Sequence, residues 1–317
     1  MTTEYAHTPV MTAQVMELLA PRPGDIVLDA TAGGAGHGRL ICEAIAPNGT
    51  YVGIDQDASA LAAAAARLDG SLAEGELILL HGNFRHIDDL LCSANLGYID
   101  RALFDVGVSS HQLDTPERGF SYMTDGPLDM RMDADGGGMT AYELLGEWDA
   151  RDLTAILHDY GEEKWAARIA DFIVRRREAG TLPRTGRELA ELVKQAIPAS
   201  ARRTGGNPAK RTFQALRVAV NDELGALREG LTAAIRWLRP GGRVVVASFQ
   251  SLEDRLVKQV FADHAGRCTC PPDLPVCACG SHAYLRVLTK SALRPDADEV
   301  AQNPRAKATR LRAAERL

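Results

Sequence analysis

The feature that most constrains this chain is a short apolar run that opens directly into glycines. Residues 25–29 read DIVLD, and residues 29–38 read DATAGGAGHG. A buried strand that turns tightly into a helix belongs to an α/β sheet, where a ligand meets backbone at a strand's carboxyl end. The alternation continues beyond it. Residues 39–45 read as a helix and YVGID (51–55) as a second strand. The alanine-rich stretch 58–68 reads as a second helix, 76–81 as a third strand and DRALFDV (100–106) as a fourth. Strands alternating with helices predict a Rossmann-like, mostly parallel sheet with helices on both faces.

The alternation then stops. Residues 109–138 are rich in Gly, Asp, Pro and Met and show no period. From 140 to 195 the pattern is helical, with Leu153, Ile156, Leu157 and Tyr160 at three-to-four spacing. The basic segment 201–211 (ARRTGGNPAKR) is expected to be flexible, and 213–238 to form one long helix closed by Pro240-Gly241-Gly242. A fifth strand (243–248), a helix (252–264) and a late strand (283–289) follow. The expected organisation is one α/β domain, residues 1–112 and 213–317, interrupted by a helical insertion at 113–212, a plausible size for a small unit.

No stretch of about 18 or more uncharged apolar residues is present, so no membrane span is expected. Residues 1–10 lack a basic region followed by an apolar core, so no secretory signal is expected either. Six cysteines in 317 residues point to reduced thiols in a cytoplasm rather than a disulfide scaffold. The net charge of −6 argues against a polyanionic partner. Its distribution argues the other way, because thirteen Lys or Arg face only four acids between Lys164 and Arg217. Such a segment is either a docking surface for a polyanion or a set of solvated helix faces.

The glycine turn is ambiguous alone. Gly34, Gly36 and Gly38 give G-x-G-x-G, a poor match to the dinucleotide pattern. A methyltransferase turn reads acid-x-G-x-G-x-G, and Asp29, Thr31, Gly33 and Ala35 stand at its key positions, keeping one glycine. Asp55 ends the second strand, where a carboxylate accepts both hydroxyls of a ribose, or is a surface acid. Phe84 stacks on an adenine or packs in the core. Asp105 ends the fourth strand beside the crevice. His37 contacts a ligand or caps the turn. Cys268, Cys270, Cys277 and Cys279 form C-x-C…C-x-C, either a tetrahedral zinc site tighter than usual or free thiols. No catalytic metal is suggested.

Longer strings decide the class. They are HTPV (7–10), the turn from Asp29 to His37, FDVGVSSHQLD (104–114) and RGFSYMTDGPLDMRM (118–132). YGEE (160–163), NPAKRTFQALRVAVNDEL (207–224), SFQSLEDRLVK (248–258), NPR (303–305) and LRAAER (311–316) complete them. Together, almost end to end, they resemble the bacterial ribosomal RNA small subunit methyltransferase H family. The resemblance implies a class I S-adenosylmethionine-dependent methyltransferase domain with an inserted helical domain that helps recognise RNA. It implies methyl transfer to the exocyclic N4 amine of a cytosine in the decoding region of 16S ribosomal RNA, within the small ribosomal subunit. Family cofactor contacts fall on Ala35, Gly36, His37, Asp55, Phe84, Asp105 and Gln112. The chain departs from the family at Ala35, where Gly is usual, at His111, where Pro is usual, and at Gln250, where His is usual. A homodimer is compatible with the chain.

An amine target sets a specific demand. The lone pair of cytosine N4 is delocalised, so an acceptor for its N–H bonds helps the nitrogen rehybridise and lose a proton. Asp105, with Ser109 or Ser110, is the expected acceptor. Carbon methylation needs a cysteine nucleophile, and before residue 260 only Cys42 and Cys92 occur, neither after the fourth or fifth strand. Two other classes compete. A nicotinamide-dependent dehydrogenase fits the turn but not the long strings, and a non-catalytic RNA-binding factor fits the fold alone.

Overall fold

A computed structural model describes residues 9–72, 74–203, 206–266 and 282–317. The chain divides into two compact units, Met1–Gly107 with Leu224–Leu317, and Val108–Glu223. The expected boundaries at 112/113 and 212/213 differ from these. The later boundary moves because residues 213–216 bury Phe213, Ala215 and Leu216 in the core of the second unit.

In the first unit, α1 (Thr12–Leu19) precedes β1 (Ile26–Asp29), α2 (Gly36–Ile45), β2 (Thr50–Asp55), α3 (Ala58–Leu68), β3 (Glu76–His81), α4 (Ile87–Ser93) and β4 (Ile99–Asp105). The second unit holds α5 (Ser110–Asp114), α6 (Ala141–Glu147), α7 (Ala150–Asp159), α8 (Ala166–Glu178), α9 (Gly186–Ala196) and α10 (Lys210–Asn221). The chain then returns through α11 (Glu223–Trp237), β5 (Leu238–Ser248), α12 (Ser251–His264), β6 (Leu285–Val287), α13 (Ala297–Gln302) and β7 (Arg310–Arg316).

The seven strands run in the order β3-β2-β1-β4-β5-β7-β6. The first five are parallel, and β7 inserts antiparallel between β5 and β6. This is the mostly parallel sheet that the resemblance implies. Apolar residues cover both faces, as a parallel sheet requires. Phe104, Val244 and Val246 pack with Leu227, Leu231 and Val257 of α11 and α12 on one side. Val27, Leu103 and Val245 pack with Val15, Ile41 and Ile45 of α1 and α2 on the other. The polar residues at the start of β4 do not break the sheet, because they are paired. Arg101 reaches Asp25 at 3.3 Å and donates to the Ala20 carbonyl, while Asp100 accepts the Ile26 N–H at 2.8 Å and pairs with Arg239.

The expected long helix over 213–238 is two helices. Asp222 adopts φ 44° between α10 and α11, a left-handed position that ends one helix before the next begins. The expected flexible segment 201–211 contributes its last residues to α10.

The second unit is helical and heavily capped. Thr140 with Glu143 and Thr185 with Glu188 form capping boxes at α6 and α9, and Asp149 accepts the N–H groups of Arg151 and Asp152 at α7. Each cap contributes about 1 kcal/mol. Leu144, Leu153, Leu157, Ile169, Ile173, Leu189 and Val193 fill the core. Arg177 closes the end of α6 from within, its Nη1 donating to the carbonyls of Leu145, Gly146 and Trp148 at 3.4, 3.1 and 2.6 Å.

Candidate active site at the carboxyl edge of the sheet

The strand order reverses between β1 and β4, and in open α/β sheets ligands lie outside the carboxyl ends of the strands at that reversal. Three of those ends carry aspartates: Asp29 on β1, Asp55 on β2 and Asp105 on β4. The backbone there is tied across strands. Thr31 Oγ1 accepts the Asp105 N–H at 2.7 Å, and the Ala32 N–H donates to the Ile54 carbonyl at 2.9 Å.

Asp55 holds the turn after β1. Its two oxygens accept the N–H groups of Gly33 at 2.8 Å and Asp57 at 2.9 Å. Each oxygen keeps a second lone pair for an outside donor. Burial pushes its pKa up to about 6, against the pull of those two amides. A hydroxyl pair donating to Asp55 would favour the ionised form, as a ribose does.

Asp29 lies deeper, 2% exposed. Burial raises it to about 6, opposed by a hydrogen bond from the Tyr51 hydroxyl at 2.8 Å and by His37. Tyr51 in turn explains Gly38, since a Cβ there would sit 2.6 Å from the Tyr51 hydroxyl. Gly38 is thus fixed by packing rather than by a ligand.

Ala35 turns the chain into α2 with φ 54°, and its methyl is fully buried. Its N–H is used within the turn, donating to the Ala32 carbonyl at 2.7 Å. Gly36 and His37 form the first turn of α2, whose amides and dipole favour an anionic group. His37 is 5% exposed, and neither ring nitrogen has a hydrogen-bond partner. Its Nε2 stands 3.6 Å from Asp105 Oδ2, and Asp105 Oδ1 is likewise buried without a partner. Phe84 begins a short 3₁₀ turn capped by Asn83 and is half-buried. Its ring meets Phe104 edge-on at 5.7 Å and lies against Gly230, where a Cβ would come within 2.7 Å.

A full-length match accompanies this geometry. The model of the MraW methylase family matches residues 4–317. The chain belongs to the MraW methylase family. It is 52% identical over 314 residues to a Heliobacterium modesticaldum protein named ribosomal RNA small subunit methyltransferase H, covering 99% of both chains. A Symbiobacterium thermophilum protein of the same name is 50% identical over 313 residues, covering 99% of this chain and 97% of that one. Among solved structures, an rRNA methylase from Streptococcus thermophilus covers 100% of this chain and 99% of its own, at 12% identity and a TM-score of 0.41. That looser likeness adds nothing to the topology itself. The chain is a methyltransferase of the S-adenosylmethionine-dependent class.

The residues at the strand ends of this MraW-family chain suit that cofactor. Buried polar atoms lacking partners, both His37 nitrogens and Asp105 Oδ1, face a demand that a polar ligand meets. The structure brings Ala35, Gly36, His37, Asp55 and Asp105 to one edge of the sheet, with Phe84 just after β3. Ser109, Ser110 and Gln112 belong to the second unit. There Ser109 Oγ accepts the Gln112 N–H at 3.1 Å and Gln112 Oε1 accepts the Ser109 N–H at 3.0 Å, a capping box for α5. Gln250 heads α12, where the Glu253 carboxylate accepts the N–H groups of Phe249 and Gln250. The four cysteines 268, 270, 277 and 279 lie outside the described residues. Among the described residues, no group of three or more potential ligands is placed to hold a metal ion. No described helix is long and apolar enough to cross a membrane.

Sequence reasoning missed Tyr51 as part of the site. Tyr51 read only as a strand residue. The available signal was its polar tip at a buried strand position, which needs a partner.

Proposed function

We propose that this enzyme transfers a methyl group from S-adenosylmethionine to the exocyclic N4 amine of a cytosine in the decoding region of 16S ribosomal RNA. The observation that carries the amine target is Asp105, a strand-end carboxylate with one buried oxygen lacking a partner. The named relatives support ribosomal RNA as the substrate, and a cytoplasmic site of action follows from that substrate.

The cofactor, when bound, supplies a methyl carried on a cationic sulfur that leaves readily. The chain supplies placement and charge. Asp55 binds the ribose diol and Phe84 lies along the base. The first turn of α2, from Ala35 through Gly36 to His37, receives the amino-acid end. Asp105 accepts an N–H of the target amine and takes its proton.

The second unit supplies phosphate contacts. Its exposed cations suit this task because their ion pairs are cheap to exchange. Arg175 pairs with Asp171 at 3.0 Å, Arg187 with Asp125 at 3.0 Å and Lys194 with Glu191 at 3.2 Å, all more than half exposed on the basic side.

The test is transfer of tritium from labelled S-adenosylmethionine to small ribosomal subunits from cells lacking this activity, with digestion to nucleosides. Label in N4-methylcytidine at one decoding-region position is expected. Label in another nucleoside, or none despite cofactor binding, overturns the reading. Asp105→Asn is expected to lower turnover by about 10²–10⁴-fold, the usual range for a lost acid–base group. Retained turnover removes Asp105 from that role.

A further inference from the structure

Four polar side chains from four elements run inward from the crevice. Asp105 on β4 stands 3.6 Å from His37 on α2. His37 feels Asp29 on β1 electrostatically, and Asp29 accepts the Tyr51 hydroxyl from β2 at 2.8 Å and the Thr31 N–H at 3.3 Å. Tyr51 is fully buried and Asp29 is 2% exposed, so neither is placed to touch a substrate. Two neighbouring groups complete the surroundings of Asp29. Cys42 has its thiol pushed up to about 12, chiefly by burial, and stays neutral, while Asp55 is a second, half-buried acid.

A packing role alone does not explain this set. Core positions seldom hold charged groups without full pairing, and His37 has two buried nitrogens with no partner. We propose that Tyr51 and Asp29 are positioning residues for methyl transfer, setting the charge on the His37 ring that stands 3.6 Å from Asp105, so that the ring either draws on the Asp105 carboxylate or leaves it to the incoming amine. The proposal rests on the reading of Asp105 as the amine's acceptor.

The chemistry follows from charge. Burial disfavours an imidazolium, but the carboxylates of Asp105 and Asp29 outweigh it, so the His37 pKa is raised. As an imidazolium, His37 attracts the carboxylate through Oδ2 and weakens Oδ1 as an acceptor for the amine. As a neutral ring, it leaves that carboxylate open. The amine nitrogen then forms its bond to the methyl carbon as the bond to the donor breaks, and its surplus proton passes to a carboxylate oxygen of Asp105. Transfer therefore rises with pH as His37 loses its proton. Tyr51 acts at one remove. Its hydrogen bond keeps Asp29 ionised, and an ionised Asp29 favours the imidazolium.

The experiment is an NMR titration of the imidazole signals in the full-length protein without cofactor or RNA. His37 is identified by the signal lost in His37→Gln. His37 is expected to titrate above an ordinary histidine. Tyr51→Phe and Asp29→Asn are each expected to move that titration down, and Asp105→Asn to move it further. The acid limb of kcat should move with it in Tyr51→Phe and Asp29→Asn, with KM for the cofactor nearly unchanged. A His37 titration at the ordinary value overturns the proposal, as does one indifferent to Tyr51→Phe and Asp29→Asn. So does an acid limb that stays put while the titration shifts. The titration needs no substrate, so it stands or falls separately from the choice of RNA target.

Discussion

The two units handle ionisable groups in opposite ways. The sheet unit buries acids at its strand ends, where Asp29 and Asp55 are both pushed up to about 6 by burial. The helical unit displays cations on exposed helix faces and pairs them loosely, as at Arg175, Arg187 and Lys194. Buried acids at fixed positions make each contact specific and costly to lose. Exposed cations make contacts that are individually weak and additive. The first arrangement suits a small cofactor and a single amine. The second suits a backbone of phosphates.

The comparison also corrects the raw charge count. Arg177 and Arg217 belong to the basic segment, yet they are structural. Arg177 is spent on three carbonyls, and Arg217 lies 15% exposed against Glu223 at 2.6 Å. Arg211 donates to the Glu162 carbonyl at 2.8 Å. Sequence gives thirteen cations in that segment, but only burial sorts those that hold the unit together from those that face outward.

The largest expected effect is at Asp55. Asp55→Ala removes two hydrogen bonds to a charged acceptor, each worth about 1.5–3 kcal/mol, so cofactor affinity should fall by about 10²- to 10⁴-fold. Calorimetry with S-adenosylhomocysteine reads this directly. The pH dependence has opposite signs for folding and for binding. The folded pKa of about 6 lies above the ordinary 3.8, so the folded state holds a proton that the unfolded state lacks between those values. The contribution of Asp55 to stability therefore rises as pH falls through that window, by up to about 3 kcal/mol. A ribose diol needs the ionised carboxylate, so affinity should drop as pH falls below about 6. An affinity flat from pH 7 to 5 would erase the distinction between the two kinds of charge.

Arg177→Met is next. It leaves the carbonyls of Leu145, Gly146 and Trp148 without their donor at the end of α6, and should cost the helical unit about 1–3 kcal/mol. Chemical denaturation measures it, and binding of S-adenosylhomocysteine should be unchanged. Smaller still are Arg175→Ala and Arg187→Ala. Each should change stability by less than about 0.5 kcal/mol and lower the salt slope of RNA binding by about 1. If they destabilise as much as Arg177→Met, the exposed cations are structural as well, and the sorting by burial fails.

Much of this contrast was legible in the sequence, for reasons that differ by region. The helix 58–68 and the strand 76–81 emerge with the bounds that composition and period predict. Both are short and locally consistent, so local signals suffice. The break at Asp222 was not legible, because 213–238 keeps a helical pattern through a residue whose conformation is set by packing on both sides. The last strand, β7, has charges at four of its seven positions, and distant partners such as Arg243 with Glu315 and Arg312 with Asp254 hold them. At the site, the aspartates ending strands stood out because position alone marks them. Tyr51 did not, since its hydrogen bond joins residues 22 apart in sequence.

Ala35, where the family the chain resembles usually carries glycine, is expected to be nearly neutral. Its φ of 54° disfavours a side chain by about 1–2 kcal/mol. Glycine would relieve that, but it would lose about 0.8 kcal/mol of methyl burial and add about 0.4–1 kcal/mol of unfolded-chain entropy. These nearly cancel, so Ala35→Gly should shift stability by less than about 1 kcal/mol. Cofactor affinity should change little as well, because the Ala35 methyl is fully buried in the core beneath the turn and its N–H already donates to Ala32. A large gain in affinity for S-adenosylhomocysteine would mean that the alanine narrows the turn itself. The sheet unit's specificity would then depend on backbone shape as much as on its buried acids.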